Sequence, residues 1–319
     1  MKAVVLAAGL GTRMRPLTDR TAKPALPVLN EPLIVRTLRE LRRAGVTEVM
    51  INLHHRPETI RAAISESDLD LKVRYSRETA ILGTGGALRK VRGFVGADPF
   101  FVVNGDVVFD FDLPGLLETH RRTGALATLA LKPNPNPELY KPVVTDRSGR
   151  ILSIRGLPVG RKGTLSLFAS VHIIEPAILD RLPTGASDTV GDLYIPLLRE
   201  GCHLQGVRQK GVWHDLGSPA GYLKAQAKLL LAQGRKRSVV IDPSVRVGKG
   251  ARITRSVVGS GSVVEPLATV DGSVIWDGAL VKSGARLRGC IVMSGTEVEK
   301  GIHANLILGP KTRAAIGRD

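Results

Sequence analysis

The sequence predicts an α/β domain with a doubly wound, mostly parallel sheet, followed by a β-solenoid. Over residues 2–132, apolar strand-like runs alternate with helical segments, the order typical of a sheet covered by helices on both faces. From Val239 onward the helical period disappears, and small or branched apolar residues recur six residues apart with glycines between them. Hydrophobic residues make up 43% of the 319 residues and aromatics only 4%, so both cores must be built from Val, Leu, Ile and Ala.

The first part of the chain can be assigned element by element. Strands are predicted at residues 2–7, 46–52, 71–75, 100–104 and 125–132. Helices are predicted at residues 32–44, 58–65, 84–92 and 113–122. Ligands of such sheets bind beyond the carboxyl ends of the strands, so Gly9 and Asp106, which both follow strands, mark the predicted binding edge.

The middle of the chain is less regular. It contains a predicted hairpin at residues 143–154, a strand at 165–174 and a helix at 191–200. Residues 220–233 form a helical pattern that Gly234 would end. The segment Gly-Arg-Lys-Arg at 234–237 is a candidate basic linker. We therefore predict one domain at residues 1–236 and a second at 237–319.

Two blocks near the carboxyl terminus show the six-residue spacing. The first block is Val245, Ala251, Val257 and Val263, and the second is Ala279, Ala285 and Ile291. Each step would bury one apolar residue, and stacked coils would make this core continuous. An ordinary β-sandwich is the alternative, but the recurrence in two blocks favours the solenoid. Solenoids have exposed ends and flat faces that pair readily, so we expect a homo-oligomer.

The charge balance and the cysteines narrow the class of protein. The formal net charge is +17, but no basic run interleaves with aromatic residues, so the pattern argues against nucleic-acid binding and suits a polyanionic small substrate. The two cysteines provide neither a disulfide framework nor a metal cluster, and a cytoplasmic location is expected. No stretch approaches the ~20 apolar residues of a membrane span, and the apolar start reads better as a buried strand than as a signal peptide.

Residues 8–13, Ala-Gly-Leu-Gly-Thr-Arg, form a glycine-rich basic loop after the first strand. Its glycines allow a tight turn in which backbone N–H groups approach phosphate oxygens. Arg13 and Arg15 add charge, and Lys23 is a plausible further cation. The loop is not a dinucleotide fingerprint, because Met14 stands where a third glycine is required, and no Gly-Lys-Ser/Thr of a Walker A loop follows.

Three other segments carry candidate functional residues. Asp106 ends an apolar strand and Asp215 follows Trp-His, and such carboxylates can bind Mg²⁺ that bridges phosphates. The alternative is that each aspartate caps a turn or a helix. Gly83 and Thr84 precede a helix, where their backbone could contact a base or merely join a strand to the helix.

These segments together resemble the sugar-1-phosphate nucleotidyltransferases, also called nucleotide-sugar pyrophosphorylases. Residues 6–18, with Lys-Pro at 23–24, are similar to the signature of that family, and residues 82–87 resemble its base-binding segment. Asn-Gly-Asp at 104–106 and Trp-His-Asp-Leu-Gly-Ser-Pro at 213–219 resemble its two metal-carboxylate segments. The repeats resemble the left-handed β-helix of the mannose-1-phosphate guanylyltransferase-like and ADP-glucose branches. The resemblance therefore implies a Rossmann-like domain followed by a left-handed parallel β-helix.

The resemblance also implies roles for the nucleotide-binding residues. The backbone at Leu6, Ala8 and Gly9 would face the base and ribose. Gly83 and Thr84 would contact the base.

For the phosphates, the resemblance implies that Gly11, Thr12 and Arg13 hold the triphosphate, with Arg13 directed at the leaving pyrophosphate. Lys23 would lie between the α-phosphate and the incoming sugar phosphate. The implied metal ligands are Asp106 and Asp215, which would bind Mg²⁺. Arg13, Lys23 and Asp106 are thus the implied catalytic residues.

One departure from the family pattern concerns the sugar. The usual Glu-Lys-Pro is replaced by Gly156, Leu157 and Pro158. In the next strand, Phe-Ala-Ser at 168–170 stands in place of the usual Asn-Ala-Gly, so that Ser170 replaces the glycine. Some members, including muramate-phosphate uridylyltransferases, also lack Glu-Lys-Pro. The best expectation is GTP with mannose 1-phosphate. The alternatives are UTP or dTTP with a glucose or amino-sugar 1-phosphate, a non-catalytic regulatory paralogue that binds a nucleotide sugar, and an acyltransferase that uses His303.

Overall fold

The computed structural model of the protein describes residues 1–232 and 239–317, which form two compact units. We call Met1–Leu10 with Ile34–Trp213 the sheet unit. The described residues of Gly11–Leu33 and His214–Asp319 are the coil unit. Residues 11–33 cluster with the carboxyl-terminal part of the chain, and the predicted domains 1–236 and 237–319 stay a prediction. The predicted linker, Gly234 and the boundary between residues 236 and 237 lie outside the described residues.

The secondary structure follows the predicted order of elements. The strands of the first part are β1 (Lys2–Leu6), β2 (Pro27–Val28), β3 (Glu31–Pro32), β4 (Glu48–Leu53), β5 (Lys72–Arg77), β6 (Phe100–Asn104), β7 (Val107–Phe109), β8 (Ala127–Lys132), β9 (Pro142–Thr145), β10 (Ile151–Ile154), β11 (Thr164–Ile174), β12 (Leu204–Arg208) and β13 (Trp213–Asp215). The later strands are β14 (Val240–Ile241), β15 (Arg246–Val247), β16 (Arg252–Thr254), β17 (Val257–Val258), β18 (Val263–Val264), β19 (Thr269–Asp271), β20 (Val274–Ile275), β21 (Leu280–Val281), β22 (Ala285–Arg288), β23 (Ile291–Val292), β24 (Glu297–Val298), β25 (Gly301–Ala304), β26 (Leu306–Gly309) and β27 (Thr312–Ala315).

The helices also match the predicted positions, with one difference in type. They are α1 (Leu33–Arg43), α2 (Pro57–Ser65), α3 (Gly83–Lys90), α4 (Arg92–Val95), α5 (Leu113–Thr123), α6 (Ile195–Arg199) and α7 (Pro219–Ala232). The helix predicted at 191–200 begins as a π-helical turn at Thr189–Tyr194, and the α-helix starts only at Ile195. Pro196 lacks a backbone N–H and therefore cannot continue the hydrogen bonds of the preceding turn.

The sheet unit confirms the predicted parallel sheet at its centre. Strands β6, β1, β4 and β5 are neighbours in that order and run parallel. Leu6 at the end of β1 lies opposite Asn52 of β4 and Asn104 of β6. The carboxyl ends of three central strands therefore meet at one edge, where the predicted site residues of this unit follow.

The other half of the sheet is mainly antiparallel, with β12 and β8 as a parallel pair, so the sheet is mixed. The long strand β11 runs antiparallel to β6, β8 and β9, and β9 pairs with β10 as the predicted hairpin. The pairing of β11 with β8 shifts register between Phe168 and His172. Ser170 lies in this bulge with a positive φ of 61°. The bulge thus falls on the sequence position where the family pattern is lost.

The coil unit contains the predicted solenoid, a parallel β-helix with three faces. Its sheets are β14-β17-β20-β23-β26, β15-β18-β21-β24 and β16-β19-β22-β25, and β27 closes the first of them in antiparallel pairing. Strand partners such as Val240, Val257, Val274 and Ile291 are 17 residues apart. A coil of 17 residues cannot hold three equal six-residue steps.

The phase of the repeat therefore differs from a strict period of six. The core of the coils contains Val258, Val264, Val270, Ile275 and Val281. The step from Val270 to Ile275 is five residues, whereas the others are six. The step from Ile253 to Val258 is also five residues and falls inside the first predicted block, so Val258 and Val264, and not Val257 and Val263, belong to this core.

None of the helices within residues 1–232 and 239–317 is long and apolar enough to cross a membrane.

Candidate active site

The end of β1 is fixed by a polar side chain of the neighbouring strand. The backbone N–H of Ala7 donates to Asn52 Oδ1 over 2.6 Å, in a buried position. Ala7 and Ala8 are buried, whereas Gly9 is exposed and has open space where a Cβ would be. The backbone leaving β1 is therefore held up to Ala8 and becomes accessible at Gly9, as a loop that approaches a ligand requires.

Glu78 connects this turn to residues 82–87, which we call the Gly83 segment. Its side chain is only 3% exposed; Oε1 accepts from Asn52 Nδ2 at 2.8 Å, and Oε2 accepts from the backbone N–H of Leu82 at 3.0 Å. A buried carboxylate is costly unless it is hydrogen-bonded in this way. Sequence reasoning missed both Asn52 and Glu78. For Glu78 the sequence offered one signal, a carboxylate directly after the strand that ends at Arg77.

The Gly83 segment requires its glycine. Gly83 has a φ of +69°, and a Cβ there would overlap the carbonyl oxygen of Ser187. The hydroxyl of Thr84 donates to Asp188 Oδ1 at 3.1 Å and accepts from the N–H of Thr189 at 2.9 Å. The Thr84 side chain is thus engaged with the loop that precedes α6. A base contact by Gly83 and Thr84 stays a prediction, and their backbone groups would make it.

Asp106 follows β6 in a turn that is tied to β1. The N–H of Gly105 donates to the carbonyl of Leu6 at 2.8 Å. The structure therefore places Leu6, Ala8, Gly9 and Asp106 at one edge of the sheet unit, after strands that pair with each other.

In the coil unit, the second half of the glycine-rich loop folds against Thr18 and Lys23. Gly11 has a φ of +63°, and a Cβ there would lie 3.0 Å from Thr18 Cγ2 and 3.4 Å from Lys23 Cβ. The Thr18 hydroxyl donates to the carbonyl of Gly11 at 2.8 Å. Thr12 and Arg13 are exposed in the short helical turn that follows. The loop thus presents Arg13 from a fixed backbone.

Arg13, Lys23 and Asp215 converge around Gly217. Lys23 is 7% exposed, and its Nζ lies 3.8 Å from Asp215 Oδ1. A Cβ placed on Gly217 would lie 3.3 Å from both Arg13 Nη1 and Asp215 Oδ2. Two cations and one carboxylate therefore lie close together, and cationic side chains of this kind suit phosphate groups. We call these four residues the cationic cluster; sequence reasoning did not single out Gly217.

The donor chemistry fits magnesium. Asp106 and Asp215 each supply carboxylate oxygens, which Mg²⁺ prefers, and Mg²⁺ is commonly held by one or two carboxylates plus the substrate phosphates. Within the described part of the chain, no group of three or more His, Cys, Asp or Glu side chains could hold a metal ion.

Arg155 stands next to the position of the missing Glu-Lys-Pro and is bound to the Gly83 segment through Asp188. Its Nη1 lies 2.5 Å from Asp188 Oδ2, while the other oxygen of Asp188 accepts from Thr84. Burial raises the pKa of Asp188, but hydrogen bonds from Gly191 N–H and Arg155 outweigh burial, and the pKa falls below its usual value. Asp188 is thus an anion that links the two loops.

An aromatic pair lies beside the bulge of β11. The indole Nε1 of Trp213 donates to the carbonyl of Ala169 at 3.1 Å. The Trp213 ring stands edge-on to Tyr140, with the ring centres 5.3 Å apart. The indole of Trp213 therefore connects β13 to the bulge of β11.

His303 does not suit the acyltransferase alternative. Its side chain is buried in the coil, and Nε2 lies 2.9 Å from the carbonyl oxygen of Glu299. A general base must reach its substrate.

The chain belongs to the nucleotidyl transferase family, whose match covers residues 2–231. Residues 225–306 match the GlmU-like, C-terminal hexapeptide family, which agrees with the left-handed β-helix expected from the sequence. The chain is thus a sugar-1-phosphate nucleotidyltransferase with a hexapeptide-repeat β-helix.

Relatives with assigned activities differ in substrate. The chain is 32% identical to the UTP–glucose-1-phosphate uridylyltransferase of Synechocystis over 78% of this chain and 68% of that protein. It is also 32% identical to the mannose-1-phosphate guanylyltransferase of Mycobacterium tuberculosis, over 85% of this chain and 78% of that protein. Among solved structures, HddC from Yersinia pseudotuberculosis superimposes with a TM-score of 0.61 at 24% identity, over 72% of this chain and 99% of that one, which shows the shared fold.

Glu78→Gln tests whether the Asn52–Glu78 link shapes nucleotide binding. The amide nitrogen cannot accept, so one of the two hydrogen bonds to Asn52 and Leu82 is lost. A hydrogen bond to a charged group contributes ~1.5–3 kcal/mol, so we expect KM for the nucleotide to rise about tenfold with little change in kcat. Glu48→Gln, at the amino end of β4, is the matched control. An equal KM in both variants would contradict this role.

Proposed function

We propose that this chain transfers a guanylyl group from GTP to mannose 1-phosphate and releases pyrophosphate. The observation that carries the transfer chemistry is the cationic cluster, in which Arg13 and Lys23 converge beside the Asp215 carboxylate. Guanylyl transfer to mannose 1-phosphate is favoured by relatives of that name at about 30% identity, in M. tuberculosis and in Arabidopsis thaliana.

The proposed reaction needs no protein nucleophile. A phosphate oxygen of the sugar 1-phosphate, already an anion, attacks the α-phosphorus in line, and pyrophosphate leaves. Catalysis then depends on alignment and on neutralising charge. Arg13, with the backbone of Gly11 and Thr12, would hold the triphosphate and stabilise the leaving pyrophosphate. Lys23 would neutralise the charge on the α-phosphate and the incoming phosphate.

Magnesium, when bound, would screen the phosphate charges and withdraw electron density from the α-phosphorus. Asp106 and Asp215 are the proposed ligands, because both offer carboxylate oxygens.

The proposed base and ribose site is the edge of the sheet unit. Leu6, Ala8 and Gly9 would contribute backbone groups from the end of β1, and Gly83 and Thr84 from the start of α3. The hydrogen bonds from Ala7 to Asn52 and from Leu82 to Glu78 support this proposal, because they fix both backbones in advance.

The second candidate is the same reaction with UTP or dTTP and a glucose or amino-sugar 1-phosphate. The replacement of Glu-Lys-Pro by Gly156, Leu157 and Pro158 favours it, as does the similarity to a glucose-1-phosphate uridylyltransferase. A regulatory paralogue that only binds a nucleotide sugar would have no need to retain Arg13, Lys23 and two aspartates.

One assay separates these candidates. Pyrophosphate release is measured with Mg²⁺ over a grid of ATP, GTP, UTP, CTP and dTTP against mannose, glucose and N-acetylglucosamine 1-phosphates. We expect GTP with mannose 1-phosphate to give the highest kcat/KM. A higher value for UTP or dTTP with another sugar overturns the guanylyl assignment but keeps the reaction class. Binding of a nucleotide sugar without turnover in any cell of the grid overturns catalysis itself.

We further propose a cytoplasmic homo-oligomer assembled through the β-helix. The flat parallel faces of the coils support pairing of this kind. Light scattering of the purified chain measures the assembly directly.

A further inference from the structure

One sheet of the β-helix is buried on both of its faces. In β17, β20 and β23, the residues Val258, Ile275 and Val292 point into the coil core. Their neighbours Val257, Val274 and Ile291 point the other way, yet they are at most 3% exposed. The outer face is therefore covered, and Asn30 is one of the residues at it, since its Nδ2 donates to the carbonyl of Val258 at 2.8 Å.

Trp276 joins this sheet to helix α7. It directly follows β20, and its indole Nε1 donates to the hydroxyl oxygen of Tyr222 at 3.1 Å. Both side chains are buried, and burial raises the pKa of Tyr222 above its usual value, so the hydroxyl keeps its proton. That proton is donated to the carbonyl oxygen of Pro27. A hydroxyl that donates and accepts at once fixes both partners.

Gln226 lies one helical turn further along α7 than Tyr222 and contacts the same strand, β2 (Pro27–Val28). Its Nε2 donates to the carbonyl of Pro27 at 2.9 Å, and its Oε1 accepts from the N–H of Leu29 at 2.9 Å. The side chain is buried with both ends of its amide engaged. Tyr222 and Gln226 together attach the residues 27–29 to α7.

Only three residues separate Pro27 from Lys23, and this connection is stiff. The residues from Lys23 to Ala25 form a tight helical turn that Leu26 closes, its N–H donating to the carbonyl of Lys23 at 3.1 Å. Pro24 and Pro27 restrict φ at two of these positions. A displacement of Pro27 is thus transmitted to Lys23.

We propose that Trp276 and Tyr222 are positioning residues for Lys23, so that the β-helix sets the geometry of the cationic cluster. The inference rests on the proposed function. It gives the β-helix a part in nucleotidyl transfer in addition to assembly, although no residue of the coils touches a phosphate in the proposed reaction.

The test uses two conservative variants of the full chain. Tyr222→Phe removes the hydroxyl and with it the hydrogen bonds to Pro27 and Trp276. Trp276→Phe keeps an aromatic ring but removes the indole N–H together with part of the bicyclic ring, and it leaves the Tyr222 hydroxyl bound to Pro27. It therefore gives a second answer where Tyr222→Phe does not fold, and Ser273→Ala controls for loss of stability. A misplacement of about 1 Å can cost a factor of about 10² in rate, so we expect kcat to fall about 10- to 100-fold in Tyr222→Phe and by less in Trp276→Phe.

A second measurement follows the segment itself. Amide hydrogen exchange at residues 23–30 should become about tenfold faster in both variants, while exchange in the coils stays as in the wild type. Ser273→Ala is the matched control, because it deletes another buried hydroxyl of the β-helix, which donates to Asp271 and accepts from Cys290.

The outcomes distinguish this inference from the proposed function. A wild-type chain that releases no pyrophosphate contradicts the proposed function, and exchange at residues 23–30 then still tests the link. Wild-type kcat and exchange in Tyr222→Phe or Trp276→Phe overturn the inference while the enzyme assignment stands. An equal loss of kcat in Ser273→Ala also overturns it, since the effect would then be general destabilisation of the β-helix.

Discussion

Replacing Asp106 with Asn is expected to reduce pyrophosphate release by a factor on the order of 10³ while leaving the fold intact. The amide has the shape of the carboxylate but lacks its charge, so it is a poor ligand for Mg²⁺. The turn that carries Asp106 is held by the backbone hydrogen bond from Gly105 to Leu6, which the substitution does not touch. Steady-state kinetics across a Mg²⁺ titration measure the loss, and thermal unfolding checks the fold.

The matched control for this change is Asp70→Asn. Asp70 is exposed on the sheet unit and pairs with Arg42 at 2.9 Å, so it loses a surface ion pair of little energetic value. We expect wild-type turnover in this control. Undiminished turnover in Asp106→Asn would remove Asp106 from the metal site and leave its carboxylate as a turn residue.

The strands and the candidate loops were predictable because their signals are local. The apolar runs that became β1, β4 and β6 are buried on both faces and thus read directly from composition. The glycine-rich loop needs glycine for a local reason, since the backbone at Gly11 adopts a positive φ. The solenoid was also visible, although a coil of 17 residues shifts the phase of a strict six-residue repeat.

The supporting residues were not predictable, because they depend on contacts distant in sequence. Asn52 meets Ala7 across 45 residues, and Tyr222 meets Pro27 across 195. No spacing rule joins such pairs before the sheet and the coils have formed. Gly217 is a similar case, because a Cβ there would lie 3.3 Å from Nη1 of Arg13, a residue distant in sequence.

Lys23→Met is expected to lower kcat/KM by roughly 10³-fold, because it removes the buried cation from the cationic cluster. Methionine fills a similar volume, so the buried position loses charge without gaining a cavity. Two effects add: the phosphates lose a neutralising partner, and the Asp215 carboxylate, 3.8 Å from Lys23 Nζ, loses the cation that offsets its repulsion of phosphate.

Lys2→Met separates this effect from the loss of a lysine in general. Lys2 lies at the amino end of β1, where its Nζ donates to the carbonyl of Phe94 at 2.6 Å and lies over the Phe94 ring. We expect the control to lose stability but to keep kcat/KM within about twofold, since surface and edge interactions of this kind act on folding and not on the transition state. If Lys23→Met retained more than about a tenth of the wild-type kcat/KM, Lys23 would contribute little to stabilising the transition state, and Arg13 would have to supply the charge that the leaving pyrophosphate needs.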